Sequence, residues 1–503
     1  MNGLHTLGRW TRDVAGRTPD RVAIDDGGHP VTYAELDRRA ERLARVLCRY
    51  PPGARIATLT RNSADHVVVL FACAKAGLVL VPLSWRLAAR EIADQLGRAE
   101  AALLLVEPDF ADLAATALAR LAEPVAWDWL GRAGIESGGP AGSLPTIADD
   151  DPLLMVYTSG TATRPKGVVL SHANCFWTNL GLSRAVPMTS DDVVLSVLPQ
   201  FHVGGWNVQP LLAWWVGATV VLVKGFDAGQ VLALIAGRSV TTMMGVPTNY
   251  LFLAEHPDFA CTDLGSLRGA VVGGAPMPEP LLRTWHARGV GLVQGYGLSE
   301  AAPNVLCLPG DAAVDKLGFA GRPYPYVDVA IADPVTGVIR PDAAGIADGE
   351  LLVRGPTVFT GYWRDPAATA HAMRDGWLHT GDLVHRDQDG YYRVQDRLDD
   401  MFVSGGENVC PSEVENALYG HPAVAEVAVV GRPDSRWGQV GMAFVVCRPG
   451  AAVTEGELIA SCRAELAGFK VPKEIRFVGE LPHNAVGKLV RRSLRPGQEG
   501  ASR

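Results

Sequence analysis

Residues 157–174, YTSGTATRPKGVVLSHAN, set Thr158, Ser159, Gly160, Thr161 and Thr163 close together and follow them with Arg164, Lys166 and Gly167. Hydroxyls, glycine and fixed cations crowded after an apolar run can hold phosphate oxygens, because such a loop turns backbone N–H groups and side-chain donors toward one anion. The spacing is not that of the loop GxxxxGK[ST], since Thr161, Ala162, Thr163, Arg164 and Pro165 separate Gly160 from Lys166. Further chemistry-bearing groups stand in PQFHVGG (199–205), GGAP (273–276), GYGLSE (295–300), HTGD (379–382), DRLDD (396–400), SGGEN (404–408) and NAVGKLVRRSL (484–494). His202, in the first of these, is the residue type that titrates near neutrality. Its surroundings show no metal-ligand spacing.

The elements that must carry these residues read as α/β. Runs 55–60, 77–83, 101–107, 192–199 and 218–223 are short and rich in aliphatic residues, and they alternate with segments of helical period such as 33–50. That alternation predicts parallel sheets covered by helices. The apolar stretches 67–83 and 210–223 read as passages from helix to strand; the first contains Lys75 and the second is shorter than the roughly 20 residues of a membrane span. Residues 137–151 read as a loop. After about residue 320, Asp-Gly and Pro-Val-Thr-Gly turns predict an antiparallel piece. The last hundred or so residues can form a small α+β unit, with the seam at Arg397–Asp400.

Composition narrows the class. Forty-six Lys and Arg against 54 Asp and Glu give a formal charge of −8, spread along the chain, which disfavours a dedicated nucleic-acid binder. Eight cysteines without CxxC pairs predict a reducing compartment and mostly buried thiols. The first residues lack a signal-peptide pattern, and a cytoplasmic location is expected.

Taken in order, the motifs resemble those of the adenylate-forming superfamily, which includes acyl-CoA synthetases, peptide-synthetase adenylation domains and beetle luciferases. The resemblance covers essentially the whole chain and is strongest to AMP-dependent acyl-CoA synthetases of the fatty-acid–CoA ligase type. It implies an α/β fold with a large N-terminal domain, 1–397, made of two α/β subdomains plus a small β-rich subdomain. A small mobile α+β C-terminal domain, 398–503, would follow. It implies ATP, Mg²⁺ and coenzyme A as co-substrates and cofactor: a carboxylic acid joined to AMP gains a competent leaving group, and a thiol then displaces it.

By the same resemblance, Thr158, Ser159, Gly160, Thr161 and Lys166 wrap the ATP phosphates. Tyr296 and Gly297 with Gly274 and Ala275 border the adenine, Ser299 meets the α-phosphate, and Glu300 reaches Mg²⁺. Asp382 clamps the ribose and Arg397 reaches the ribose or a phosphate. Lys488 places an ammonium between the carboxylate and the α-phosphate, where it follows charge into the transition state. His202 stands at the acyl tunnel as a candidate catalytic or gating residue. The C-terminal domain swivels about Asp399, bringing Gly405 and Gly406 toward a pantetheine arm. The chain departs from the family pattern at Ala162 and Thr163, where Thr or Ser and then Gly are usual.

By the same resemblance, Phe201-His202-Val203-Gly204, where amino-acid-activating relatives place an Asp, disfavours an amino acid substrate, and Gln294-Gly295, where malonate-type relatives carry an Arg, disfavours a dicarboxylate. Val203, Trp206, Met243, Met244, Val246, Val272 and Val305 offer apolar contact without fixed charge. The expected substrate is a medium- or long-chain fatty acid, with a benzoate- or cinnamate-type aryl acid second and transfer to a carrier protein instead of CoA as a further alternative. The expected assembly is a monomer or homodimer with no transmembrane segment.

Overall fold

The computed structural model describes residues 3–132, 143–158, 165–334, 336–340, 345–398, 400–405, 407–483 and 489–494, without the side chains of residues 408 and 492. The chain forms two compact units, Met1–Val329 with Leu352–His379, and Ala330–Leu351 with Thr380–Arg503.

The first unit holds two large sheets. One runs in the order Arg322–Pro323, Asn304–Leu308, Val293–Gly297, Gly269–Gly273, Thr242–Gly245, Val193–Ser196, Thr219–Leu222, Val22–Asp26, His29–Thr32. Its inner strands, from Val293–Gly297 to Val22–Asp26, are parallel, and antiparallel strands close both sides. The other runs Gly361–Tyr362, Lys166–Ser171, Pro152–Thr158, Val79–Leu83, Arg55–Leu59, Ala101–Val106, Ala126–Trp129. The expected strands all form, and the two apolar stretches resolve as helix Ala64–Ala76 into strand Val79–Leu83 and helix Pro210–Val216 into strand Thr219–Leu222. Strands such as Val79–Leu83 and Gly269–Gly273 are buried along their whole length. A parallel strand covered by helices on both faces needs continuous apolar sequence instead of alternation. Among the described residues, no helix is long and apolar enough to cross a membrane.

Helix ends follow their sequence signals. Thr32, Ser63 and Ser171 each accept a backbone N–H three residues on, capping Tyr33–Leu47, Ala64–Ala76 and His172–Ala185. The cysteines are free; Cys73, Cys175, Cys307 and Cys462 are buried, while Cys48, Cys410 and Cys447 are half-buried and Cys261 is exposed. Burial of thiols is thus less general than their apolar character suggested.

After residue 320, Trp377–Arg386 pairs antiparallel with Tyr392–Arg397 and Asp328–Ala332 with Ile339–Arg340, as the turn-rich sequence predicts. The α+β piece has sheet order Glu407–Val409, Phe402–Ser404, Gly438–Cys447, Val424–Asp434, with Glu474–Phe477 parallel to Gly438–Cys447. Helices Pro411–Tyr419 and Glu455–Glu465 contribute Val414, Leu418 and Leu458 to its core, against Val429, Ala443 and Val445.

Candidate active site

In the first unit, the residues singled out from sequence stand beyond the carboxyl ends of neighbouring parallel strands. His202 follows Val193–Ser196, Val246 follows Thr242–Gly245, Gly274 follows Gly269–Gly273, and Ser299 follows Val293–Gly297. This is where open α/β sheets bind ligands. Register pairs Gly273 with Gly295, which sets Gly274 alongside Tyr296. A Cβ on Gly273 would lie 2.7 Å from the Gly295 carbonyl oxygen, and Gly274 has φ +81°. Only glycine suits both demands. Gly274 and Ala275 are exposed and Tyr296 is half-buried, a flat shelf beside an aromatic ring that can accept a planar heterocycle.

Thr158 and Lys166 are a register pair across the antiparallel strands Pro152–Thr158 and Lys166–Ser171. A hydroxyl and an ammonium therefore frame the two ends of the intervening loop. Ser159, Gly160 and Thr161, with Ala162 and Thr163, lie outside the described residues.

A residue that sequence reasoning missed, Tyr362, joins two of the candidate residues, Glu300 and Lys166. The two-residue strand Gly361–Tyr362 adds to Lys166–Ser171, with Tyr362 opposite Val168, and Phe359 N–H donates to the Glu300 carbonyl at 2.8 Å. Those backbone ties converge three side chains. Tyr362 Oη donates to Glu300 Oε1 at 2.8 Å, and Lys166 Nζ stands 4.7 Å from the centre of the Tyr362 ring. Glu300 so placed fits a Mg²⁺ held jointly by one carboxylate, phosphate oxygens and water. Among the described residues no cluster of three or more His, Cys, Asp or Glu forms a dedicated cage. The signal for Tyr362 was a glycine directly before an aromatic residue, with Gly361 at φ +145°.

His202 closes a tight turn whose backbone is clamped by Asn62, also missed from sequence. Asn62 Nδ2 donates to the Leu198 carbonyl and its Oδ1 accepts from Gln200 N–H, both at 2.9 Å. Trp206 Nε1 donates to the Gln200 carbonyl at 2.5 Å. Burial, with Arg86 adding to it, holds the His202 imidazole down to about 4, so it is neutral at physiological pH. The apolar residues expected around an acyl pocket divide: Trp206, Met243, Val272 and Val305 are core, while Met244 and Val246 are half-buried.

In the second unit, Arg397 Nε lies 3.3 Å from Asp382 Oδ1 and Arg397 Nη2 donates to the Thr380 carbonyl at 2.8 Å. The two residues are opposite one another on paired strands. Gly381, at φ +70°, donates its N–H to Glu350 Oε1 at 3.0 Å. The Asp382 carboxylate is oriented by Arg397 and its side chain is 11% exposed, suited to receiving hydroxyl donors. Next to Arg397 in sequence, Asp396 accepts from Arg397 N–H and from Ser412 N–H; burial raises its pKa.

Gly405 has φ +63°, donates its N–H to the Trp437 carbonyl at 2.8 Å, and would bring a Cβ to 2.8 Å from the Trp437 ring. Asp399, Gly406 and Lys488 lie outside the described residues. On the C-terminal side of Lys488, Arg491 donates to Glu415 Oε2 at 2.6 Å.

A family model described as AMP-binding enzyme matches residues 11–363, and one described as AMP-binding enzyme C-terminal domain matches 413–488. The fold and these two matches define an adenylate-forming enzyme. The chain belongs to the AMP-binding enzyme family of the adenylate-forming superfamily and is an AMP-forming acid–thiol ligase. It is similar to a feruloyl-CoA synthase of an Amycolatopsis species, 42% identical over 501 residues that make up 97% of this chain and 98% of that one. An indoleacetate–CoA ligase of Aromatoleum aromaticum is 38% identical over 97% of each chain. Among solved structures, the o-succinylbenzoate CoA synthetase of Bacillus subtilis, in complex with its acyl-adenylate intermediate, matches with a TM-score of 0.88 at 31% identity, over 97% of each chain.

Proposed function

We propose that this ligase activates an aryl carboxylic acid, of the cinnamate, arylacetate or benzoate kind, with ATP and passes the acyl group to coenzyme A. The observation that carries this reading is full-length similarity, at 38–42% identity, to ligases named for feruloyl and indoleacetate groups. It takes the place of the fatty acid expected from apolar residues, several of which are core. His202, buried and neutral, itself offers no charge to a second carboxylate or an ammonium.

ATP, Mg²⁺ and CoA are the co-substrates and cofactor. Lys166, Thr158 and the loop residues Ser159, Gly160 and Thr161 hold phosphate oxygens. Tyr296, Gly297, Gly274 and Ala275 border the adenine, and Ser299 donates to the α-phosphate. Glu300 would hold Mg²⁺, which when bound neutralises charge on the departing diphosphate. Asp382, steadied by Arg397, accepts the ribose hydroxyls. Lys488 stabilises the charge developing as the carboxylate oxygen attacks the α-phosphorus and diphosphate leaves. Gly405 and Gly406 admit the pantetheine arm for the second step, after a swivel about Asp399. Fixing φ there with Asp399→Pro is expected to slow thioester formation at least tenfold more than adenylation, measured by comparing CoA-dependent turnover with diphosphate release.

The deciding experiment for the substrate class is diphosphate release with a panel of aryl and straight-chain acids. Aryl acids are expected to exceed fatty acids in kcat/KM by at least about tenfold, the scale of pocket discrimination. A preference for octanoate or palmitate would overturn the reading.

A further inference from the structure

Ser196 and Gln209 are 4% and 1% exposed, and each carries a buried side-chain atom without a partner, Ser196 Oγ and Gln209 Oε1. Both line one small cavity together with Gly204, Gly205, Val208 and Met244. The cavity has room for about one water-sized group. Its lining includes residues on both sides of His202 in sequence, Leu198 and Gly204, and shares Met244 with the expected acyl wall.

The chemistry of the cavity follows from how Gln209 is held. Its Nε2 donates to the Gly269 carbonyl at 3.2 Å and to Thr242 Oγ1, whose own hydrogen goes to that same carbonyl. A carbonyl only accepts, so the amide nitrogen must lie on that side and the amide oxygen on the other. Gln209 sits at φ +82°, immediately before helix Pro210–Val216, a conformation that side-chain-bearing residues seldom adopt. The side chain is thus tied at one end, and Oε1 is an acceptor that only a donor can satisfy. Ser196 Oγ can give or take a hydrogen. Apolar matter in this space would leave both atoms unpaired.

We propose that this cavity is the far end of the acid-binding pocket and that it takes a hydrogen-bond-donating substituent, a ring hydroxyl or N–H, carried by the aryl acid away from its carboxylate. This rests on the aryl-acid reading and narrows it to donor-bearing rings.

The test is the ratio of kcat/KM for hydroxycinnamates over the fluorocinnamates of matching position, which are close in size but cannot donate. It is measured in the wild type, in Ser196→Ala and in Ser196→Val, for the 3- and 4-substituted series. The ratio is internal to each protein and so does not depend on the folded fraction. The wild type is expected to favour the hydroxy acid at least about tenfold at one position. Ser196→Ala should lower that ratio severalfold, and Ser196→Val, which fills the space with methyl groups, should bring it to one or below. A wild-type ratio near one at both positions, or a ratio unchanged in both variants, overturns the donor subsite while the aryl-acid reading stands. Turnover of straight-chain acids without turnover of any cinnamate overturns both.

Discussion

The phosphate side and the acid side of the first unit treat their polar groups in opposite ways. Around Tyr362, Glu300 and Lys166 meet through one phenol, and strand Gly361–Tyr362 exists to put that phenol there. Around His202, polar atoms are buried and left open: His202 Nε2, Ser196 Oγ and Gln209 Oε1 have no partner. Groups already joined to one another are pre-organised for a ligand that is the same in every turnover. Groups without partners define what the variable ligand must supply. On the proposed function this difference would separate catalysis from selectivity, and the comparison can be broken by finding a change at Tyr362, Glu300 or Lys166 that alters the choice of acid.

The largest effect is expected from Lys488→Ala, which should lower adenylation by roughly a thousandfold, the upper scale for losing a transition-state donor. Thioester formation from a supplied acyl-adenylate should fall far less; single-turnover assays of the two half-reactions separate them. Glu300→Gln removes the carboxylate charge and should cost about a hundredfold in diphosphate release, with a raised Mg²⁺ requirement and an unchanged ratio between acids.

Acid pH should act through two buried histidines of the first unit. Burial holds His66 down to about 3 and His172 down to about 4. In the unfolded chain these groups titrate near 6.5, so between that pH and about 4 the unfolded state binds more protons. Stability is therefore full above about pH 6.5 and falls as the pH drops toward 4, by roughly 1 kcal/mol per pH unit for each histidine. Urea unfolding followed across pH 8 to 4.5 checks this; a flat profile would refute it. The smallest effect is expected from Tyr362→Phe, which deletes one hydrogen bond to Glu300 and should raise the KM for ATP by roughly three- to tenfold, equally for every acid.

The strands were legible in the sequence where burial on both faces demanded continuous aliphatic runs, as in Val79–Leu83. Lys166, Tyr296, Glu300 and Asp382 were legible because several motifs occur in a fixed order. Tyr362 was not, since a two-residue strand has no period to read and its partners lie 62 positions away in Glu300 and in the paired strand. Asn62 and Gln209 escaped for a related reason: each acts on backbone groups of distant segments, and nothing local marks an amide that clamps a turn. Ser196, a hydroxyl inside the apolar run 192–199, was a visible anomaly whose meaning appears only with the cavity.

Products formed in the absence of CoA test the central claim most directly. With ATP, Mg²⁺ and 4-hydroxycinnamate alone, mass spectrometry should find the acid joined to AMP, and one diphosphate should be released for each adenylate formed. Formation of ADP and inorganic phosphate, or no cleavage of ATP until CoA is added, would contradict activation through an acyl-adenylate.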